Sequence, residues 1–172
     1  MTKIKLAWAA AMLTLILVTT ALASTVLAKG DDQHGQGGVR GGGTSLVAGG
    51  TGSPSFVPVM TTFAFNWSGG TGRFECLALA PSAAAGKPGS GNFDTNAMYV
   101  TGTITSAEVK GQTAVLKGKA TVTGLGAGSD RPYTLTVTSG GPGATLVLNL
   151  PAVLSLPALT FNEIVVEGAI EF

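Results

Sequence analysis

The feature that most constrains this chain is a two-residue rhythm of apolar side chains, cut into short lengths by glycine and proline. From Val59 to Trp67, the residues Val59, Thr61, Phe63, Phe65 and Trp67 share one side, and Met60, Thr62, Ala64 and Asn66 share the other. A period of two belongs to a pleated strand with unlike surroundings on its two faces, whereas a helix repeats every 3.6 residues. Ser68-Gly69-Gly70-Thr71-Gly72 then turns the chain into Arg73 to Ala80, where Phe74, Cys76, Ala78 and Ala80 alternate with Arg73, Glu75, Leu77 and Leu79.

The rhythm continues to the end of the chain. Pro81 to Asn92 reads as a long loop. Met98 to Lys110 starts with Met98, Val100, Gly102 and Ile104 on one face before Ala107 and Val109 take over, a phase change that predicts a bulge. Gly111-Gln112 joins it tightly to Thr113 to Gly124, in which Ala114, Leu116, Gly118, Ala120 and Val122 alternate with polar neighbours. Leu125 to Arg131 reads as a loop, and Pro132 to Thr138 as a strand with Tyr133, Leu135 and Val137 inward. Ser139 to Gly143 can only turn. Ala144 to Leu150 is an apolar strand, Pro157 makes Ala152 to Thr160 a crossing connection, and Ile164 to Phe172 closes the chain. In that last run Ile164, Val166, Gly168, Ile170 and Phe172 fall on one face, opposite Val165, Glu167, Ala169 and Glu171. About seven strands so arranged predict an all-β fold, a single antiparallel β-sandwich or small β-barrel.

Ahead of the strands, Lys3 and Lys5 precede an apolar stretch from Leu6 to Ala23, followed by the small-residue sites Ala21-Leu22-Ala23 and Val26-Leu27-Ala28. This is the layout of a secretory signal, residues 1–28, with cleavage after Ala28 preferred to Ala23. Export predicts a secreted or cell-envelope protein without stable membrane insertion once the signal is cleaved. Residues 29–53, with the run Gly35-Gln36-Gly37-Gly38-Val39-Arg40-Gly41-Gly42-Gly43, read as a flexible glycine-rich leader, leaving 54–172 as the folded domain. Without Lys3 and Lys5, the ten basic residues fall to eight against nine acidic ones, evenly scattered, so no basic patch points to nucleic acid.

Several stretches together resemble the secreted bacterial proteins with a post-COAP-1 type domain. They are Phe63-Ala64-Phe65, Gly102-Thr103-Ile104, Leu116-Lys117-Gly118-Lys119-Ala120 and Val137-Thr138-Ser139-Gly140-Gly141-Pro142-Gly143. The resemblance covers roughly Gly41 to Phe172 and implies an exported β domain with no assigned activity. Ser139 stands where that family tends to carry an aspartate, so a carboxylate role at this turn does not carry over.

The residues of ordinary catalysis are sparse. The one histidine, His34, lies in the leader, which leaves no Ser/His/Asp or Cys/His group inside the domain. Cys76, the sole cysteine, shares a strand face with Phe74 and Ala78 and reads as a small core residue; its functional alternative is an intermolecular disulfide. Asn92, Asp94 and Asn96 have the spacing that opens a calcium loop, but Ala97 replaces the expected glycine and Thr103 the closing glutamate. They are a weak calcium candidate, and turn hydrogen bonding explains them as well. A glycosidase pair would be drawn from Glu75, Asp94, Glu108, Asp130, Glu163, Glu167 and Glu171, which read as solvated face charges; Glu167 and Glu171 share a face but lie about 13 Å apart by strand rise, too far for such a pair. Asn66-Trp67-Ser68 fits the glycosylation pattern.

No cofactor, metal or catalytic residue is assigned on this basis. The expectation is an exported, non-enzymatic β-domain acting as a structural or binding module at the cell surface or outside it. The alternatives are a small barrel with a ligand-binding or enzymatic mouth, and a small outer-membrane barrel.

Overall fold

A computed structural model describes residues 37–53, 58–82 and 91–172. The signal sequence, His34 and part of the long loop after Pro81 lie outside these. Eight strands run in chain order: β1 (Val39–Gly49), β2 (Met60–Ser68), β3 (Thr71–Pro81), β4 (Phe93–Lys110), β5 (Thr113–Gly124), β6 (Gly128–Thr138), β7 (Thr145–Leu150) and β8 (Leu159–Glu171). Each pairs antiparallel with its neighbours, and β8 returns to β1, so the sheet closes into an up-and-down barrel with no free edge.

Closure decides between the two architectures that the alternation allowed. With eight strands the interior is just wide enough for inward side chains to fill it. Phe63, Phe74, Val100, Leu116, Leu135 and Leu148 are all buried there. The outer wall carries Arg73, Glu75, Lys117, Lys119 and a series of threonines, all exposed.

The local expectations hold through β2 to β5 and in β7, whereas β6 starts at Gly128, inside the stretch Leu125 to Arg131 expected as a loop. Gly69 and Gly70, at φ 62° and 86°, make the two-residue turn between β2 and β3 that only glycine enters without strain. β4 and β5 pair from Lys110 and Thr113 up to Met98 and Gly124, and their register slips between Ile104 and Ser106, where the phase change falls.

Two further expectations are corrected. The stretch read as flexible leader contains β1, the eighth strand. Its glycines reflect close approach instead of freedom: a Cβ on Gly41 would sit 2.5 Å from the Phe65 ring, and one on Gly168 of β8 would sit 2.6 Å from the Gly43 Cα. The inward face of β8 also differs from the one expected. Leu159, Phe161, Glu163 and Val165 are buried, while Ile164 and Val166 are 45% and 44% exposed. A bulge is the cause. Thr44 pairs with Glu167 and Ser45 with Val165, so Val166 is the extra residue and the inward phase resumes only at Ile170.

Candidate functional site

The two ends of the barrel are built differently. At one end lie the tight β2–β3 and β4–β5 turns and the β6–β7 turn, whose Gly140 exchanges backbone hydrogen bonds with Ile170. At the other end, Thr51, Gly52 and Ser53 after β1 and Leu125 after β5 line a cavity of about 320 Å³ together with residues of the barrel strands. Its walls are mostly apolar, with Val47, Val59, Ala78, Met98, Leu125 and Phe161 among them. This volume lies within the range of small-molecule sites, and so does the apolar lining.

Four polar or ionisable side chains stand beside that lining, on adjacent strands. In β8, Glu163 is the next inward residue after Phe161, and its cross-strand partner is Val47. In β2, Thr61 follows Val59 and pairs with both Ser45 of β1 and Ala78 of β3. In β3, Cys76 is the inward residue next to Ala78. Each is thus one pleat repeat, about 7 Å, from a residue of the cavity wall. All four are buried, Glu163 to 3% exposure and Thr61 to 1%.

The Ser45 hydroxyl donates to Glu163 Oε2 at 2.5 Å. The Thr61 hydroxyl faces the same carboxyl and favours its charged form, yet closes no hydrogen bond of ordinary geometry and stays buried without a partner. Burial dominates over both hydroxyls and pushes Glu163 up to about 7. Burial, and then the Glu163 charge, push the Cys76 thiol well above its usual range, so it stays protonated and is a poor nucleophile. Among the described residues Glu163 makes no ion pair.

A second buried charge closes part of the same end. Arg131, at the start of β6 and 1% exposed, donates through Nη1 to the Gly126 carbonyl at 2.6 Å and through Nη2 to the Pro151 and Pro157 carbonyls, each at 3.1 Å. It ties the β5–β6 loop to the β7–β8 connection. The Tyr133 hydroxyl donates to the Thr103 carbonyl, and burial raises its pKa.

The residues singled out from sequence are not gathered at this mouth as a group. Cys76 lies inside the barrel beside the polar cluster. Asn92, Asp94 and Asn96 are exposed at the start of β4, where the Asn92 carbonyl accepts from the Ser82 and Asp94 amides. No group of three or more metal-ligating side chains occurs among the described residues. Asn66 is exposed on the outer wall, as are Glu167 and Glu171. The sequence reading gave no site role to Ser45, Thr61 and Arg131, and it placed Glu163 among the solvated charges, whereas the structure buries it. For Glu163 the signal was present in the alternative frame Leu159-x-Phe161-x-Glu163-x-Val165.

No family model, curated protein or solved structure matches this chain.

Proposed function

We propose that this protein is an exported binding module that holds a small, mostly apolar molecule in the open mouth of its barrel. The observation that carries this reading is the cavity of about 320 Å³, walled by Val47, Val59, Met98 and Phe161, at the end of the barrel opposite the β2–β3 and β4–β5 turns. An apolar cavity in an otherwise filled core forfeits packing, and an apolar guest would recover it. Two further features support a protein that works in water. Its outer wall bears Arg73, Glu75, Lys117 and Lys119, and its interior is apolar, the reverse of the apolar-out, polar-in pattern of a membrane-spanning barrel. Export is supported by the signal-like start.

Titration of the full chain with the apolar dye N-phenyl-1-naphthylamine tests the reading. Saturable fluorescence enhancement at one dye per chain is expected. The rim substitutions Ala80→Leu and Ala97→Leu, at half-buried positions lining the cavity, should weaken it about tenfold while circular dichroism stays unchanged. Enhancement that does not saturate, or that both substitutions leave intact, would overturn the proposal.

A further inference from the structure

A buried carboxyl normally has a cationic partner or a full set of hydrogen-bond donors, because desolvating it is costly. Glu163 has one donor, Ser45, and no ion pair among the described residues. The unpartnered Thr61 hydroxyl, also buried, faces the same carboxyl. Both lie one inward position from walls of the apolar mouth, Glu163 beside Phe161 and Thr61 beside Val59. A further donor, preferably a cation, would complete this set, and the wall of the mouth lies one pleat repeat away.

We infer that the ligand of this mouth is an amphiphilic amine, its apolar part against Val47, Val59, Met98 and Phe161 and its ammonium group donating to the Glu163 carboxylate. The inference rests on the mouth being a binding site, as proposed above. A primary ammonium has three donors, and the Glu163 carboxylate and the Thr61 hydroxyl oxygen that faces it offer it acceptors. The other titratable groups facing the interior do not compete. Cys76 on β3 and Tyr133 on β6 are held protonated by burial, and Arg131 on β6 is spent on three carbonyls. From the remaining elements around the carboxyl, Ser45 on β1 and Thr61 on β2 offer only hydroxyls. Glu163 is thus the interior group whose charge changes near neutrality.

Octylamine, octanol and octanoate share one tail and differ in the head, and each can be titrated against the dye-loaded full chain. Octylamine is expected to displace the dye about tenfold more tightly than octanol at pH 7.5, with octanoate weakest. Glu163→Gln should abolish that preference. Lowering the pH from 7.5 to 5.5 should weaken octylamine on the native protein about tenfold, because the amine stays charged throughout while the carboxylate is lost. This pH series needs no variant, so the inference stays testable even if Glu163→Gln folds poorly. Octanol displacing the dye as well as octylamine, or octylamine binding that ignores pH, would overturn the inference while leaving the mouth a binding site. Displacement by none of the three would remove both.

Discussion

Arg131 and Glu163 are carried into the same barrel and hidden to the same degree, 1% and 3% exposed, yet their surroundings are opposite. Arg131 is surrounded by main chain, with three carbonyls accepting from its two terminal nitrogens and only Nε left without a partner. Glu163 has one hydroxyl bonded to it, a second that does not close, and no counter-charge among the described residues. A buried charge whose capacity is filled by the backbone belongs to the architecture, because the loops it holds are its partners. One left unfilled beside a cavity stands at a cost to the fold, a cost that the proposed amine ligand would offset.

The largest test of this contrast is Arg131→Ala. It leaves the Gly126, Pro151 and Pro157 carbonyls without their donor and opens a hole at the β5–β6 end. A loss of about 3–5 kcal/mol in unfolding free energy is expected from urea titration. Arg131→Lys should recover only part of it, since one ammonium lacks the planar spread that serves two loops together. A loss below about 1 kcal/mol would mean that the latch is incidental.

Glu163 predicts a pH dependence of the opposite kind from the usual acid denaturation. In the folded protein it keeps its proton up to about 7, whereas its ordinary value is 4.5. Between those values the native state binds more protons than the unfolded chain, so stability falls as pH rises. The contribution is complete below about pH 4.5 and gone once pH passes 7, on the order of 3 kcal/mol in all. Glu163→Gln keeps the shape and removes the titration. Urea midpoints from pH 4 to 8 should therefore show the native protein falling relative to the variant across this window. Parallel curves would place the carboxyl in an environment no different from water.

How far the sequence reveals these two residues depends on where the alternation stays regular. From β2 through β5 it does, so the spacing alone puts Phe63, Phe74, Val100 and Leu116 each on a single strand face, which is the interior one, and the slip after Ile104 shows as a change of phase. β8 has two frames that both look apolar, one through Ile164 and Val166 and one through Phe161 and Val165. The bulge at Val166 joins Val165 to Ile170 as inward residues, which no constant period reproduces. Placing Ile164 inside forces Glu163 outside, and with it the polar cluster is lost from view. Arg131 was hidden for a related reason: a charge beside Gly128 and Asp130 reads as loop, although Asp130 at φ 52° turns the chain so that Arg131 begins the inward series Tyr133, Leu135 and Val137. Composition misled at β1, where glycines needed for close strand contact look the same as glycines of a linker.

The smallest effect asks whether the loop held by Arg131 is part of the cooperative fold. Leu154, at the tip of the β7–β8 connection, is fully exposed and has φ 53°, a left-handed conformation unfavourable for a branched apolar side chain. The flanking Pro151 and Pro157 carbonyls are the ones Arg131 binds, and Val153 and Leu156 exchange backbone hydrogen bonds across the tip. The conformation is thus imposed from both sides. Leu154→Asn, which tolerates this backbone region and adds no freedom of glycine's kind to the unfolded chain, should stabilise the protein by about 0.5 kcal/mol. Relief of strain raises global stability only if the loop unfolds together with the barrel. In the Arg131→Ala background the loop is released and its strain already lost, so the same substitution should there change nothing. A gain that persists without Arg131 would show the loop to be fixed by its own turn and the arginine to be a spectator, which would dissolve the contrast with Glu163.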